Sequence, residues 1–200
     1  MSADSLNNFK KRFKDNYEIH DYKHAFAILE NDFPTQFKDL MDFINEFKIK
    51  KEWIVKEGGS KSDITKNIEK HFNKRGWKEK KFKVKTTIND VETLSETNKI
   101  DHFRDKVSLE IQWNSKDSVY DRDLSAFRRL HNLNHMDVGI MITRSRDMNK
   151  TIKKIFEKKI SDKNGESTTI FEKFINKIKL GNGGAVPILT FAFKGNIVEK

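Results

Sequence analysis

The run Val138-Gly139-Ile140-Met141-Ile142-Thr143 is almost continuously apolar, and it admits few architectures. A strand with one wet face alternates; a strand apolar on both faces is covered on both, as in parallel sheets packed between helices. The preceding segment supports the same reading. Across residues 121–133, Leu124, Phe127 and Leu130 recur at helical spacing, with Arg122, Arg128 and Arg129 outward. Before that, residues 106–113 alternate as a strand. A strand, a helix and a second strand form a crossover, which makes the two strands parallel neighbours. The expected fold is α/β, with a mixed central β-sheet flanked by helices.

The remaining segments fill in around that unit. Residues 6–13 form a short basic helix or an arm within 1–16, and residues 17–22 a short strand. Residues 24–29 begin a helix on Ala25, Ile28 and Leu29. Pro34 suits a first helical turn, and Phe37, Leu40, Met41 and Ile44 follow at amphipathic spacing. Trp53-Ile54-Val55 reads as a short strand. Ser62 or Asp63 caps a helix with Ile64, Ile68 and Phe72 inward, ending near Gly76. Residues 77–88 read as a basic strand with Phe82, Val84 and Thr86 on one face, and residues 89–98 as a polar loop. Residues 151–160 and 168–180 are helical, 181–184 a turn, and 186–193 a final strand. No repeat or linker divides the chain, so a single domain over 1–200 is expected.

Composition narrows the partners. Lys and Arg number 40 against 30 Asp and Glu, a formal charge of +10 that points to a polyanion. There is no Cys, which excludes a disulfide framework and Cys-ligated zinc and fits a cytoplasmic setting. No apolar run is long enough to span a bilayer, and Met1-Ser2-Ala3-Asp4-Ser5 lacks a signal-peptide pattern. His20/His24 and His131/His135 have helical metal-ligand spacing, but no partner motif supports zinc at either.

The chemistry concentrates at Asp101-His102-Phe103-Arg104-Asp105-Lys106-Val107-Ser108-Leu109-Glu110-Ile111-Gln112. Val107, Leu109 and Ile111 share one face of a strand, and Ser108, Glu110 and Gln112 the other. Asp101 is expected to reach the acid face from a preceding turn. An acid pair and an amide beside an apolar core suit a hard cation such as Mg²⁺, with room left for water and a phosphate. That is the layout of a metal-dependent phosphodiesterase.

The same stretch resembles the BglII/BstYI branch of the PD-(D/E)XK nuclease superfamily, in which Asp, eight residues, Glu, one apolar residue and Gln form the motif. Further segments look similar in order: Asp21 to Leu29, Gly76-Trp77-Lys78-Glu79, Asp137 to Thr143, and Val186-Pro187-Ile188-Leu189-Thr190-Phe191. The resemblance covers residues 17–193. It implies a restriction-endonuclease-like core and a prokaryotic type II enzyme that cuts both strands of a short palindromic DNA site, possessing in some relatives a GATC core. It implies a homodimer using Mg²⁺, with Mn²⁺ able to substitute, and a cognate DNA methyltransferase in the host.

By motif position, Asp101, Glu110 and Gln112 are the expected catalytic residues. Asp101, Glu110 and the backbone carbonyl of Ile111 are the expected metal ligands. Gln112 stands where relatives outside this branch carry Lys, so it brings no positive charge. Asn114, Ser115 and Lys116, with Arg144, Ser145 and Arg146, are the expected DNA contacts. The chain departs from the family after Trp77, where Lys78-Glu79-Lys80-Lys81 stands in place of an Asn; Glu79 and Lys80 are both candidates for that position. Two alternatives share these features: a modification-dependent or structure-specific nuclease, and a non-catalytic DNA-binding protein on the same fold.

Overall fold

The computed structural model describes residues 3–56, 61–97, 99–155 and 168–199. Along the chain come α1 (Ala3–Phe13), β1 (Tyr17–Tyr22), α2 (Ala25–Asp32), α3 (Pro34–Glu46), α4 (Lys51–Val55) and α5 (Asp63–Asn73). Then follow β2 (Lys78–Lys80), β3 (Lys83–Ile88), β4 (Val91–Glu96), β5 (Ile100–Arg104) and β6 (Val107–Ile111). The C-terminal part holds α6 (Val119–Asn132), β7 (Val138–Arg144), α7 (Arg146–Ile155), α8 (Phe171–Lys179) and β8 (Ile188–Phe193). Local chemistry sets several boundaries. Pro34 opens α3, where its missing N–H costs nothing. Ser62 caps α5 by accepting from the Thr65 N–H at 3.1 Å.

Six strands form one mixed sheet in the order β1-β8-β7-β6-β5-β2. β6, β7 and β8 are parallel, β6 and β7 as the crossover through α6 predicts. β1 joins β8, β5 joins β6 and β2 joins β5, all antiparallel. β3 and β4 form a separate two-stranded sheet.

Alternation sorts the central strands into two cores. Leu109, Ile140 and Ile142 join α1, α2, α3, α5 and α7 through Phe9, Phe26, Leu40, Phe72 and Met148. Met141 and Ile188 join α6 and α8 through Leu124, Phe127, Phe174 and Ile178. Gly139 lets the second layer close: a Cβ there would lie 2.6 Å from the Phe127 ring. No helix among the described residues is long and apolar enough to cross a membrane.

Local details depart from the sequence reading in four places. Trp53-Ile54-Val55 lies in helix α4, because its backbone bonds close locally, Trp53 N–H to Lys50 at 3.0 Å and Lys56 N–H to Glu52 at 3.1 Å. Residues 77–88 are two strands rather than one, since the chain leaves the main sheet after Lys80 and re-pairs as β3. The polar stretch 89–98 contains strand β4; Asn89 and Asp90 take positive φ, the conformation of a two-residue hairpin turn. The helix expected over 151–160 starts earlier, at Arg146, and 156–160 lie outside the described residues. Residues 6–13 belong to helix α1, docked by Phe9 and Phe13.

Candidate active site

Asp101 and Glu110 are brought together by a β-hairpin. β5 and β6 pair His102 with Leu109, Phe103 with Ser108 and Arg104 with Val107. Asp105 and Lys106, both at positive φ, make the turn between them. Continuing the register by one residue sets Asp101 opposite Glu110. The Asp101 N–H donates to Glu110 Oε1 at 3.3 Å. Asp101 therefore lies on a strand and not on a turn, as the polar residues before it had suggested.

The hairpin turns Ser108, Glu110 and Gln112 toward α6, and all three are buried. Glu110 is 1% exposed, and its Oε2 is buried with no hydrogen-bond partner. Burial, and then the charges of Asp123 and Asp101, push its carboxyl well above the ordinary range. Gln112 is anchored at both ends. Its N–H donates to the Ile142 carbonyl at 2.8 Å, and its carbonyl accepts from Thr143 Oγ1 at 2.9 Å. Its side-chain Nε2 donates to Asp123 Oδ2 at 2.7 Å.

Asp123, on α6, is the site residue that sequence reasoning missed. It is 2% exposed, and burial pushes its carboxyl up to about 6 despite the opposing pull of Arg122 and Gln112. The Arg122 guanidinium grips Oδ1 through Nε at 3.1 Å and Nη2 at 2.9 Å. The signal was present in the sequence: Tyr120, Asp123, Leu124 and Phe127 follow buried helical spacing, so an acid interrupts an apolar stripe.

Crowded, buried carboxyls need protons or a cation. Arg122 answers Asp123 directly and leaves Glu110 Oε2 unanswered. Among the described residues no three His, Asp or Glu side chains form a complete metal cage. Two carboxyls and a main-chain oxygen nonetheless match the small protein share of a Mg²⁺ shell, in which water fills the remaining positions. Asp101 and Glu110 supply the two carboxyls of such a set.

The other expected site residues follow the carboxyl ends of β6 and β7, where parallel sheets commonly present ligand-binding groups. Asn114 and Lys116 are exposed, and Ser115 is half-buried. Arg144 and Ser145, both at 0% exposure, lie inside the protein. Arg144 donates to Asn114 Oδ1 at 2.6 Å, stands 5.6 Å from the Trp113 ring, and is lowered by burial to about 10. Ser145 Oγ accepts from the Met148 N–H at 3.2 Å at the start of α7. Neither offers an open surface to a ligand in this structure. Arg146 is exposed, with Glu172 at 3.7 Å. Glu79 pairs with Lys99 at 2.6 Å on the sheet edge, and Lys80 lies over the Phe82 and Phe103 rings. Neither joins Asp101 and Glu110 through any hydrogen bond or ion pair.

The model of the restriction endonuclease BglII/BglIII family matches residues 17–193. No curated protein matches the chain significantly. The matched segment begins at the first residue of β1 and ends at the last of β8, so it takes in the acid hairpin, the crossover helix and the whole six-stranded sheet. With that span, the chain belongs to the BglII/BglIII family of restriction endonucleases, which are nucleases that act on DNA.

Proposed function

We propose that the protein is a site-specific type II endonuclease that hydrolyses both strands of a short palindromic DNA site with Mg²⁺. The observation that carries this reading is the buried Glu110 Oε2, which has no partner and lies beside Asp101. A carboxylate is stable in such a place when a cation completes it.

Asp101, Glu110 and the Ile111 carbonyl would hold the ion, Mg²⁺ or Mn²⁺ in its place. A bound divalent cation supplies Lewis-acid stabilisation of charge developing on the phosphate. Water attacks phosphorus in line and the 3′-oxygen leaves, giving a 5′-phosphate and a 3′-hydroxyl. Gln112 contributes no positive charge. Its Nε2 is committed to Asp123, which fixes the orientation of the amide. Asp123 is thus a positioning residue, held in turn by Arg122.

Asn114, Ser115, Lys116 and Arg146 are the proposed DNA contacts, with Lys116 and Arg146 on phosphate and Asn114 on a base edge. Arg144 and Ser145 act behind them, Arg144 by fixing the Asn114 amide and Ser145 by capping α7. A palindromic site read on both strands calls for a twofold homodimer. The resemblance supports a GATC core, and a host using this enzyme needs a DNA methyltransferase for protection.

Unmethylated phage DNA incubated with the protein, with and without Mg²⁺, tests the reading. Discrete ends that sequence to one motif are expected. Cleavage restricted to methylated or branched DNA would reassign the substrate; no nicking with Mg²⁺ or Mn²⁺ would leave a binding protein.

A further inference from the structure

A cleft of about 410 Å³ opens between the end of α3, helix α4 and one flank of α5. Its volume falls in the range of small-ligand sites, roughly 300–1,000 Å³. Lys48, Lys50, Lys70 and Lys74 line it, and all four are exposed. None takes part in an ion pair among the described residues. Of the nearby lysines outside the cleft, Lys38, Lys56, Lys61 and Lys66 each pair with a carboxylate, and among the described residues Lys51 does not. Glu46 and Glu199 also line the cleft, which leaves the four lysines in excess.

The aromatic part of the lining is Trp53 and Phe47, whose ring centroids are 6.2 Å apart. Both rings are half-buried and open to the cleft. The other tryptophans, Trp77 and Trp113, are 1% and 5% exposed, so Trp53 is the indole available to a ligand. Lys50 Nζ already stands 5.9 Å from its ring. An open indole among unpaired lysines joins the two elements of single-strand nucleic-acid binding, a stacking platform and a track for phosphates. A duplex would offer its phosphates here but not a base, because its bases are stacked on one another.

The cleft is distinct from the acid centre. Asn67, Lys70, His71 and Lys74 share one flank of α5 at three- and four-residue spacing. Glu69 lies on the other flank, and its charge reaches His102, next to Asp101.

We infer that this cleft binds a nucleotide unit of an unpaired DNA strand, with the base on Trp53 and Phe47 and its phosphates among Lys48, Lys50, Lys70 and Lys74. The inference does not depend on the chemistry proposed at Asp101.

The test is a fluorescence titration of the full chain, in chelator, with an oligothymidylate of about eight nucleotides, inside the usual site sizes. Saturable quenching is expected, lost in Trp53→Phe and weakened at least about tenfold in the exposed double variant Lys70→Glu/Lys74→Glu, with a steep salt dependence. Circular dichroism establishes that both variants are folded. Thymidine monophosphate is the second probe: quenching as strong as the oligonucleotide's assigns the cleft to free nucleotides, and quenching by the oligonucleotide alone assigns it to a strand. Quenching that survives Trp53→Phe, or an affinity unmoved by the lysine reversal, overturns the inference. The same variants should cleave duplex DNA with Mg²⁺ at the parental rate. Parallel loss of cleavage would place these lysines on the duplex track and overturn an independent site, whereas failure of Asp101 variants alone bears only on the endonuclease reading.

Discussion

The two faces of β6 carry opposite solutions to burial. Val107, Leu109 and Ile111 pack into the apolar core under α1, α2, α5 and α7. Ser108, Glu110 and Gln112, one residue apart from these and just as buried, face the other way, where Glu110 and Gln112 meet Asp123 of α6. The first face gains stability from transfer out of water. The second gives some of it up, because carboxyls there are desolvated beside one another. One strand thus combines a structural edge and a reactive edge, and period-two alternation is all that separates them.

The largest expected effect lies on the reactive face. Asp101→Ala or Glu110→Gln should reduce cleavage to background, while circular dichroism and DNA binding in chelator stay unchanged. Persisting cleavage by either variant would remove the acid pair from the mechanism. On the opposite face, Leu109→Ala should cost about 2–5 kcal/mol of stability, measured by urea unfolding, with turnover per folded molecule retained. If Leu109→Ala instead lowered turnover without loss of stability, the division between the faces would fail.

Asp123→Asn sharpens the comparison. Its amide can no longer serve Gln112 and Arg122 as a carboxylate does, so activity should fall by roughly 10–100-fold, as for other supporting residues of metal sites. The metal-free protein should be no less stable at neutral pH. The pH dependence follows from the same burial. Both Glu110 and Asp123 are raised, so the folded state holds protons that the unfolded chain releases. Their contribution to stability is fully present below the ordinary carboxyl range and is lost as pH rises, for Asp123 through about 6. Thermal melts in chelator should show this decline, flattened in Asp123→Asn; a decline unaffected by that substitution would assign it to other groups. The smallest effects belong to the rim. Lys116→Ala and Arg146→Ala should each lower the salt dependence of DNA binding by about one unit of slope, with cleavage chemistry intact.

Much of this division was legible in the sequence. The alternation from Val107 to Gln112 fixed which side chains share a face, and the apolar run of β7 with the crossover of α6 required parallel strands. Asp101 and Glu110 were legible as a pair by their spacing, yet their meeting depends on a hairpin whose second turn residue, Lys106, is not typical of that conformation. β4 was obscured for a similar reason: its side chains are mostly exposed, so no apolar period marks it. Asp123 was lost because one acid in an amphipathic helix reads as surface until the sheet beneath it is known. The burial of Arg144 was hidden by its position at a strand end, where charge usually meets water.

The hairpin also gives the motif's spacing a mechanical meaning. The eight residues between Asp101 and Glu110 divide into three on β5, two in the turn and three on β6. A single insertion or deletion in either strand would slip the pairing and send one acid to the opposite face, into the apolar layer. Such an indel would disarm the enzyme with every acid still present, so length variation in this segment is as restrictive as any change of its letters.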